Sequence, residues 1–503
     1  MQLAAQRQAH AERLITATAS LCPECRKIVR AEIFERDGKV YMRKRCGEHG
    51  EFEDLYWGDY WLYKKARRFA HDGQGFANPT TKLESCPFSC GPCEAHLSHT
   101  ALANLVVTNR CNLACWYCFY YAERAGYVYE PSLADIERML RYLKAQKPVP
   151  CNALQLTGGE PTLREDLVEI IRLAKRLGFD HVQLNTNGIK LALDAELARA
   201  IARAGAGVVY LSFDGVTAET NQKNHRYIPK ILKNARRADM RLVLVPTVIK
   251  NKNDHELGDI VEFALKNIDV VRGVNFQPVS LVGRMPREER ERHRITIPDV
   301  ILALEEQTAG AIAREDFYPV PSVAAISHIV EALTGVKQYE LTTHFACGMA
   351  TYVFKDGNTL VPITRFIDID GLLEYLNESA ERIKAGGGGL VERIKLLSGI
   401  RRFIDAAGAP ENLKIYPILF AALVRHDYRA LAKFHHNALF IGLMHFMDLY
   451  NYDIARVKRC AIHYVTPDLR AVPFCAFNVL PEYYRDAMQK EYAAKLTAEK
   501  GEG

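Results

Sequence analysis

Cys111-Asn-Leu-Ala-Cys115-Trp-Tyr-Cys118 sets three thiols at C-x3-C-x2-C spacing, with Tyr117 directly before the last. Three thiolates can hold three irons of a cubane 4Fe–4S cluster and leave the fourth without a protein ligand. An open coordination position can take a small chelating ligand, as an open metal site does elsewhere. The spacing alone would also serve a structural zinc knot or a ferredoxin-type knot. The surroundings favour the open cluster. Upstream, Leu105-Val106-Val107 reads as a buried strand feeding the cysteine loop. Downstream, Leu154-Gln155-Leu156 runs into Thr157-Gly158-Gly159-Glu160-Pro161. Glycines let a chain approach a ligand closely, and an acid can accept hydrogen bonds from an ammonium group.

Outward from this loop, residues 103–310 alternate strand-like and helical patterns. Strand-like runs fall at Asn104–Thr108, Leu154–Leu156, His181–Leu184, Val208–Ser212, Leu242–Val248 and Val271–Phe276. Helical patterns separate them, among them Leu133–Lys147, Leu167–Leu177 and Ala195–Ala204. Such βα repetition predicts an α/β fold with a parallel sheet. Sites in βα barrels gather at the C-terminal strand ends. That rule puts the cysteine loop, Gly158–Glu160, Asn185 to Gly188, Ser212 to Asp214, Thr247 and Gln277 at one mouth. Each polar residue taken singly also fits an ordinary strand-end cap.

The three-cysteine spacing with an aromatic before the last Cys resembles the radical S-adenosylmethionine (radical SAM) superfamily, and Gly158-Gly159-Glu160-Pro161 resembles its GGEP motif. The resemblance implies a partial (β/α)6 barrel. It implies that Cys111, Cys115 and Cys118 hold a 4Fe–4S cluster whose open iron binds SAM, and that the reduced cluster cleaves SAM to a 5′-deoxyadenosyl radical. It assigns SAM or substrate contacts to Tyr117, Gly158, Gly159, Glu160, Asn185, Asn187, Ser212, Asp214, Thr247 and Gln277.

Thirteen cysteines in 503 residues are many for a reducing compartment, where clusters of thiols point to metal rather than disulfides. Cys22-Pro-Glu-Cys25, a hairpin signal at Asp37-Gly38, and Cys46-Gly-Glu-His49 make a C-x2-C…C-x2-H pattern. It predicts one tetrahedral zinc or iron ion in a rubredoxin-like or zinc-ribbon module over residues 1–70. Cys86, Cys90 and Cys93 repeat the C-x3-C-x2-C spacing within residues 71–102 and read as ligands of an auxiliary cluster. Cys151 reads as a core thiol. In residues 311–503 the βα rhythm fades. Cys347 precedes a hairpin signal at Lys355 to Asn358, and Cys460 and Cys475 flank another; each unit resembles half of a SPASM-type auxiliary cluster domain. Pro362 stands where that pattern has a second Cys. Either one auxiliary cluster forms, or two form with an open or non-Cys ligand, for which His344 and His463 are candidates.

A net charge of +6 is mild and gives no reason to expect nucleic acid. No signal peptide pattern or membrane-length apolar run is visible, which predicts a cytoplasmic protein with peripheral contact to a membrane left open. The stretches Ile415–Val424 and Ala438–Met447 read as apolar helices joined to the chain beyond Gly386–Gly389. They are expected either as core or as walls of a hydrophobic tunnel over residues 415–447, with Arg401, Arg402, Arg425 and Arg429 nearby for a phosphate.

The order of these cysteine groups along residues 20–480 is similar to that of the tetraether lipid synthase family. That resemblance implies radical coupling of the terminal methyl carbons of two diether phospholipid chains into a membrane-spanning lipid. It also implies one or two auxiliary 4Fe–4S clusters and a reductant such as ferredoxin or flavodoxin. Some relatives carry the name dihydropterin methyltransferase, and that activity is the alternative. A SPASM-type peptide-modifying enzyme is a further one. A pterin would need a small polar pocket, and a lipid long apolar walls.

Overall fold

The computed structural model describes residues 12–82, 84–120, 125–282, 287–357, 359–386, 389–410, 413 and 438–501. The chain opens with a four-stranded antiparallel ribbon: β1 (Arg13–Leu21), β2 (Ile28–Arg36), β3 (Lys39–Cys46) and β4 (Gly50–Trp57). Asp37 and Gly38 join β2 to β3 with φ of 54° and 74°. Two consecutive positive φ values match the right-handed twist of a hairpin, which is why Asp-Gly belongs there.

The second sheet is built around β5 (Leu102–Thr108), β6 (Ala153–Gly158), β7 (His181–Thr186), β8 (Val208–Ser212), β9 (Arg241–Val245), β10 (Thr247–Val248) and β11 (Val271–Pro278). Strands β5, β6, β7, β8, β9 and β11 pair in that order, all parallel. All six expected strands are present. Helices cover their outer face. In Leu133–Lys144 the buried residues Ile136, Met139, Leu140 and Leu143 fall at i, i+3, i+4 and i+7, and Ser132 caps the first turn by accepting from Asp135 N. One apolar stripe per helix against a sheet buried on both faces is how this layer architecture closes its core. Cys151 sits fully buried in that core, where burial pushes its thiol up to about 12.

The sheet does not stop at residue 310. It continues through β12 (Tyr318–Pro319), β13 (Gly348–Asp356), β14 (Thr359–Pro362), β15 (Ala438–Met444), β16 (Ile462–Val465) and β17 (Ala471–Pro473). β15 adds parallel to β11 on one edge, and β16 adds parallel to β5 on the other. This corrects the expected helix over Ala438–Met447. A short apolar run fits a buried helix or a strand buried on both faces equally well, and periodicity cannot separate them. Here residues on both faces are buried, and both edges pair, with β11 and β13. The expected apolar stretch Ile415–Val424, with Arg425 and Arg429, lies outside the described residues. Arg401 and Arg402 are exposed, in a turn after the helix Leu390–Ile400.

Among the described residues no helix is long and apolar enough to cross a membrane. The ribbon is fixed to the barrel by buried polar groups. Arg294 donates to Asp448 at 2.6 Å and to Asp54 of β4 at 3.2 Å. Asp453 accepts from Thr18 of β1 at 2.7 Å and from Tyr56 of β4 at 2.9 Å.

Candidate active site and metal centres

Cys111, Cys115 and Cys118 lie in the loop after β5, at the C-terminal end of the parallel strands, and all three line a cavity of about 210 Å³. Gly158, Gly159, Glu160, Asn185, Asn187, Ser212, Thr247, Gln277 and Tyr117 line the same cavity. Burial pushes the Cys111 thiol up to about 11, with the Glu160 carboxylate and the other two thiols adding to it. A thiol so placed ionises when a metal takes its proton's place. Three half-buried thiols on one short loop, opening on a cavity of mixed polar and apolar lining, fit a cluster with a free corner.

The glycines serve the loop's packing. A Cβ on Gly158, whose φ is 138°, would meet Thr108 O at 2.1 Å, and one on Gly159 would meet Arg110 O at 2.1 Å. The backbone N–H groups of Gly159 and Glu160 donate to Thr108 O and Arg110 O at 2.9 and 2.7 Å. The motif thus docks the β6 end directly under the cysteine loop.

Glu160 is nearly fully buried. Its Oε1 accepts from Thr162 N at 3.0 Å and from the Thr162 and Thr186 hydroxyls at 2.6 Å, and its Oε2 accepts from Asn187 N at 2.8 Å. Burial holds its carboxyl above the usual range against the pull of these four bonds. Asn187 is likewise engaged, donating from Nδ2 to Asn112 Oδ1 at 2.8 Å and accepting from Ile189 N at 3.1 Å. These two residues, expected as ligand contacts, tie the β6, β7 and cysteine loops together. Asn185, Ser212 and Gln277 face the cavity with no side-chain hydrogen-bond partner among the described residues.

Asp214 holds the rim. It accepts from the Tyr117 hydroxyl, from Thr247 N at 3.1 Å, and pairs with Lys223 at 2.8 Å. Lys223 lies 5.2 Å from the Tyr117 ring centroid. These residues separate the inner cavity from an outer one of about 520 Å³ lined by Trp116, Asp214, Thr220, Lys223, Asn251 and Asn253. Lys223, Tyr210, Phe446 and Tyr464 line the inner cavity, and sequence reasoning missed them. Lys223 follows β8 in a loop without a motif, and Phe446 belongs to the stretch misread as a helix.

In the ribbon, Cys22 and Cys25 from the β1–β2 turn meet Cys46 and His49 from the β3–β4 turn, with all four ligand atoms within 4.8 Å of one another. Cys46 Sγ lies 3.6 Å from His49 Nδ1 and Cys25 Sγ 3.8 Å from Cys46 Sγ. This is the geometry of a single tetrahedral ion. The remaining cysteines form two looser groups. Cys86 and Cys90 hydrogen-bond each other, and Cys90 N donates to Tyr484 Oη at 2.9 Å; Cys93 is buried nearby in sequence. Cys347, before β13, lies within the electrostatic reach of Cys460 and Cys475, which flank the β16–β17 hairpin. Their thiols therefore come from both edges of the open sheet. His463 Nε2 faces His96 Nε2 at 3.1 Å, and His344 Nδ1 accepts from Ala346 N, so these Nε2 and Nδ1 atoms already have protein partners.

Residues 105–264 match the Radical SAM superfamily, and residues 14–58 match the HMPTM N-terminal zinc ribbon domain. Over 95% of this chain and 96% of the relative, the sequence is 46% identical to the 7,8-dihydro-6-hydroxymethylpterin dimethyltransferase of Methanocaldococcus jannaschii. The chain belongs to that family of radical SAM proteins. A GTP 3′,8-cyclase from Aquifex aeolicus is 29% identical over 43% of this chain and 65% of its own length. The crystal structure of methylornithine synthase aligns with 42% of this chain and 64% of its own at a TM-score of 0.34 and 15% identity. The radical SAM enzyme and its ribbon are as expected. The expected lipid-coupling activity is corrected: the relative that matches end to end is named a pterin dimethyltransferase, and the ribbon match carries the HMPTM name.

Proposed function

We propose that this radical SAM enzyme methylates a reduced pterin of the 7,8-dihydro-6-hydroxymethyl type. The observation that carries the proposal is the end-to-end similarity to a protein named for that reaction, which includes the ribbon as well as the barrel. The cavity agrees with it. A pterin is flat, with hydrogen-bonding groups around its edge. The inner cavity is small, and it offers the amides of Asn185 and Gln277 and the Ser212 hydroxyl beside the rings of Tyr210 and Phe446.

Cys111, Cys115 and Cys118 would hold the 4Fe–4S cluster, which when bound supplies the electron that cleaves SAM and so gives a radical able to take hydrogen from carbon. The protein's own part is position. The clamp from Glu160 to Thr186 and Asn187 fixes the three loops around the cavity. The Tyr117–Asp214–Lys223 contact forms one side of its rim. The ribbon ligands would hold one zinc or iron ion. Cys86, Cys90 and Cys93, and Cys347, Cys460 and Cys475, would each hold an auxiliary cluster with three thiolates. A small electron carrier such as ferredoxin or flavodoxin is the reductant in this reading.

Because the SAM that is cleaved keeps its methyl group on methionine, the added carbon must come from a separate one-carbon donor, and the test is anaerobic incubation of the reconstituted enzyme with SAM, a low-potential reductant and 7,8-dihydro-6-hydroxymethylpterin, with the donor given in separate arms as methyl-labelled SAM and as a methylene-bearing reduced folate. Mass spectrometry should show a methylated pterin formed together with 5′-deoxyadenosine. Cleavage of SAM with the pterin unchanged would overturn the substrate assignment and leave the radical chemistry standing.

A further inference from the structure

Arg456 is a buried cation with no carboxylate partner among the described residues. It lies in the middle of the short helix Ile454–Lys458 and is 3% exposed. Its Nη2 donates to His445 O at 2.7 Å, and its Nε points at Cys347 Sγ at 3.4 Å. Among the described residues no carboxylate pairs with it. The nearby acids are engaged elsewhere. Asp453 accepts from Thr18, Tyr56 and Ala455 N, and Asp448 accepts from Arg294 and from Tyr450 N. A buried guanidinium without an anion is costly even after the protein relaxes around it. An anion is therefore expected where its Nε points.

Among the described residues the ionisable groups acting on it are the Cys347 and Cys475 thiols and the Tyr56 phenol, whose hydroxyl already donates to Asp453. Cys347 Sγ lies 3.4 Å from Nε, a thiolate at Cys475 also favours the charged guanidinium, and the Cys460 thiol is near enough to feel both. Three Cys ligands around an iron–sulfur cluster carry net negative charge, and a fixed cation beside such a cluster stabilises its reduced, more negative state. Phe446 lines the cavity, and the next residue, Met447, donates its N–H to Cys475 Sγ at 3.4 Å. The thiol group and the cavity thus share one segment of chain.

We propose that Arg456 is the counter-cation of an auxiliary iron–sulfur cluster held by Cys347, Cys460 and Cys475, and that it raises the reduction potential of that cluster. The proposal rests on the auxiliary cluster of the functional reading above, and its test separates the two. Iron and sulfide are counted in the full-length wild-type enzyme and in Cys347→Ser; loss of about one cluster's iron establishes the site. The potential is then followed by EPR-monitored redox titration in the wild type, Arg456→Met and Arg456→Lys. Arg456→Met should move one auxiliary signal to a more negative potential and leave the SAM-cluster signal in place, and Arg456→Lys should restore most of the shift. Arg456→Met that folds but loses only that cluster also supports the role. An Arg456→Met enzyme with full iron content and an unmoved potential overturns it, and so does Arg456→Lys shifting as far as Met. If Cys347→Ser keeps all its iron, the cluster assignment itself fails.

Discussion

Replacing Glu160 by Gln separates two roles that the GGEP motif could play. In one, the carboxylate binds the amino group of SAM. In the other, it is a clamp within the protein. The structure gives the clamp four bonds, three on Oε1 and one on Oε2. Glutamine has the same shape but only one acceptor oxygen. If that oxygen stays in the Oε1 position, the new NH2 faces Asn187 N–H, donor against donor. If the amide flips, Thr162 N loses its acceptor instead. Either way one buried backbone N–H is orphaned and a charge-assisted bond is lost, which costs about 2–4 kcal/mol. Local opening would become about 30- to 900-fold more frequent, since each 1.36 kcal/mol is tenfold. Hydrogen exchange of peptides spanning residues 157–165 and 183–190 in the SAM-free protein reads that change directly. We expect accelerated exchange there, no change in the ribbon, and weakened SAM binding. Unchanged exchange with lost SAM affinity would refute the clamp and return Glu160 to the ligand.

Three further outcomes follow from the same geometry. Cys→Ala at Cys111, Cys115 or Cys118 should abolish production of 5′-deoxyadenosine while other iron remains bound; full SAM cleavage by any of the three would refute the cluster assignment. Cys46→Ser should lower the zinc-plus-iron content outside the clusters by about one ion per chain, as for a closed four-ligand site, measured by plasma mass spectrometry. Arg294→Met leaves Asp448 buried without its cation, and breaking such a pair costs about 3–5 kcal/mol. It should therefore speed proteolytic cleavage where β4 leaves the ribbon, and equal cleavage rates would show that the pair does not hold ribbon to barrel.

The sequence disclosed the barrel strands because each is a short β-branched or leucine-rich run followed by a turn, repeated with helices of clear 3.6-residue period. It disclosed the ribbon ligands because a tetrahedral site requires close knuckles and Asp37-Gly38 fixes the hairpin between them. It did not disclose β15, whose residues Ala438–Met444 are apolar on both faces. Periodicity is silent wherever both faces are buried, and the partner strands lie far away in the chain. Nor did it disclose that Glu160 and Asn187, which line the cavity, are also bonded within the protein. Residue type shows what a side chain can bond to, and only the fold shows what it already bonds to.

The same error in reading β15 bears on the chemistry. As a helix, residues 438–447 would belong to an apolar insert and could wall a tunnel. As a strand it extends the parallel sheet beyond β11 and delivers Phe446 to the cavity and Met447 to Cys475. On the opposite edge, β16 extends the sheet beyond β5 and carries Cys460 just before it. An open barrel must do something with its two edges, because exposed strand edges invite unwanted pairing. Here each edge receives a strand from the last seventy residues or so of the chain. That segment also carries Cys460 and Cys475, and its strand β15 pairs with β13, which Cys347 directly precedes. A lesion in β15 should for that reason disturb the auxiliary thiols and the cavity wall together, while the loop bearing Cys111, Cys115 and Cys118, anchored through Gly158, Gly159 and Glu160, keeps its own support.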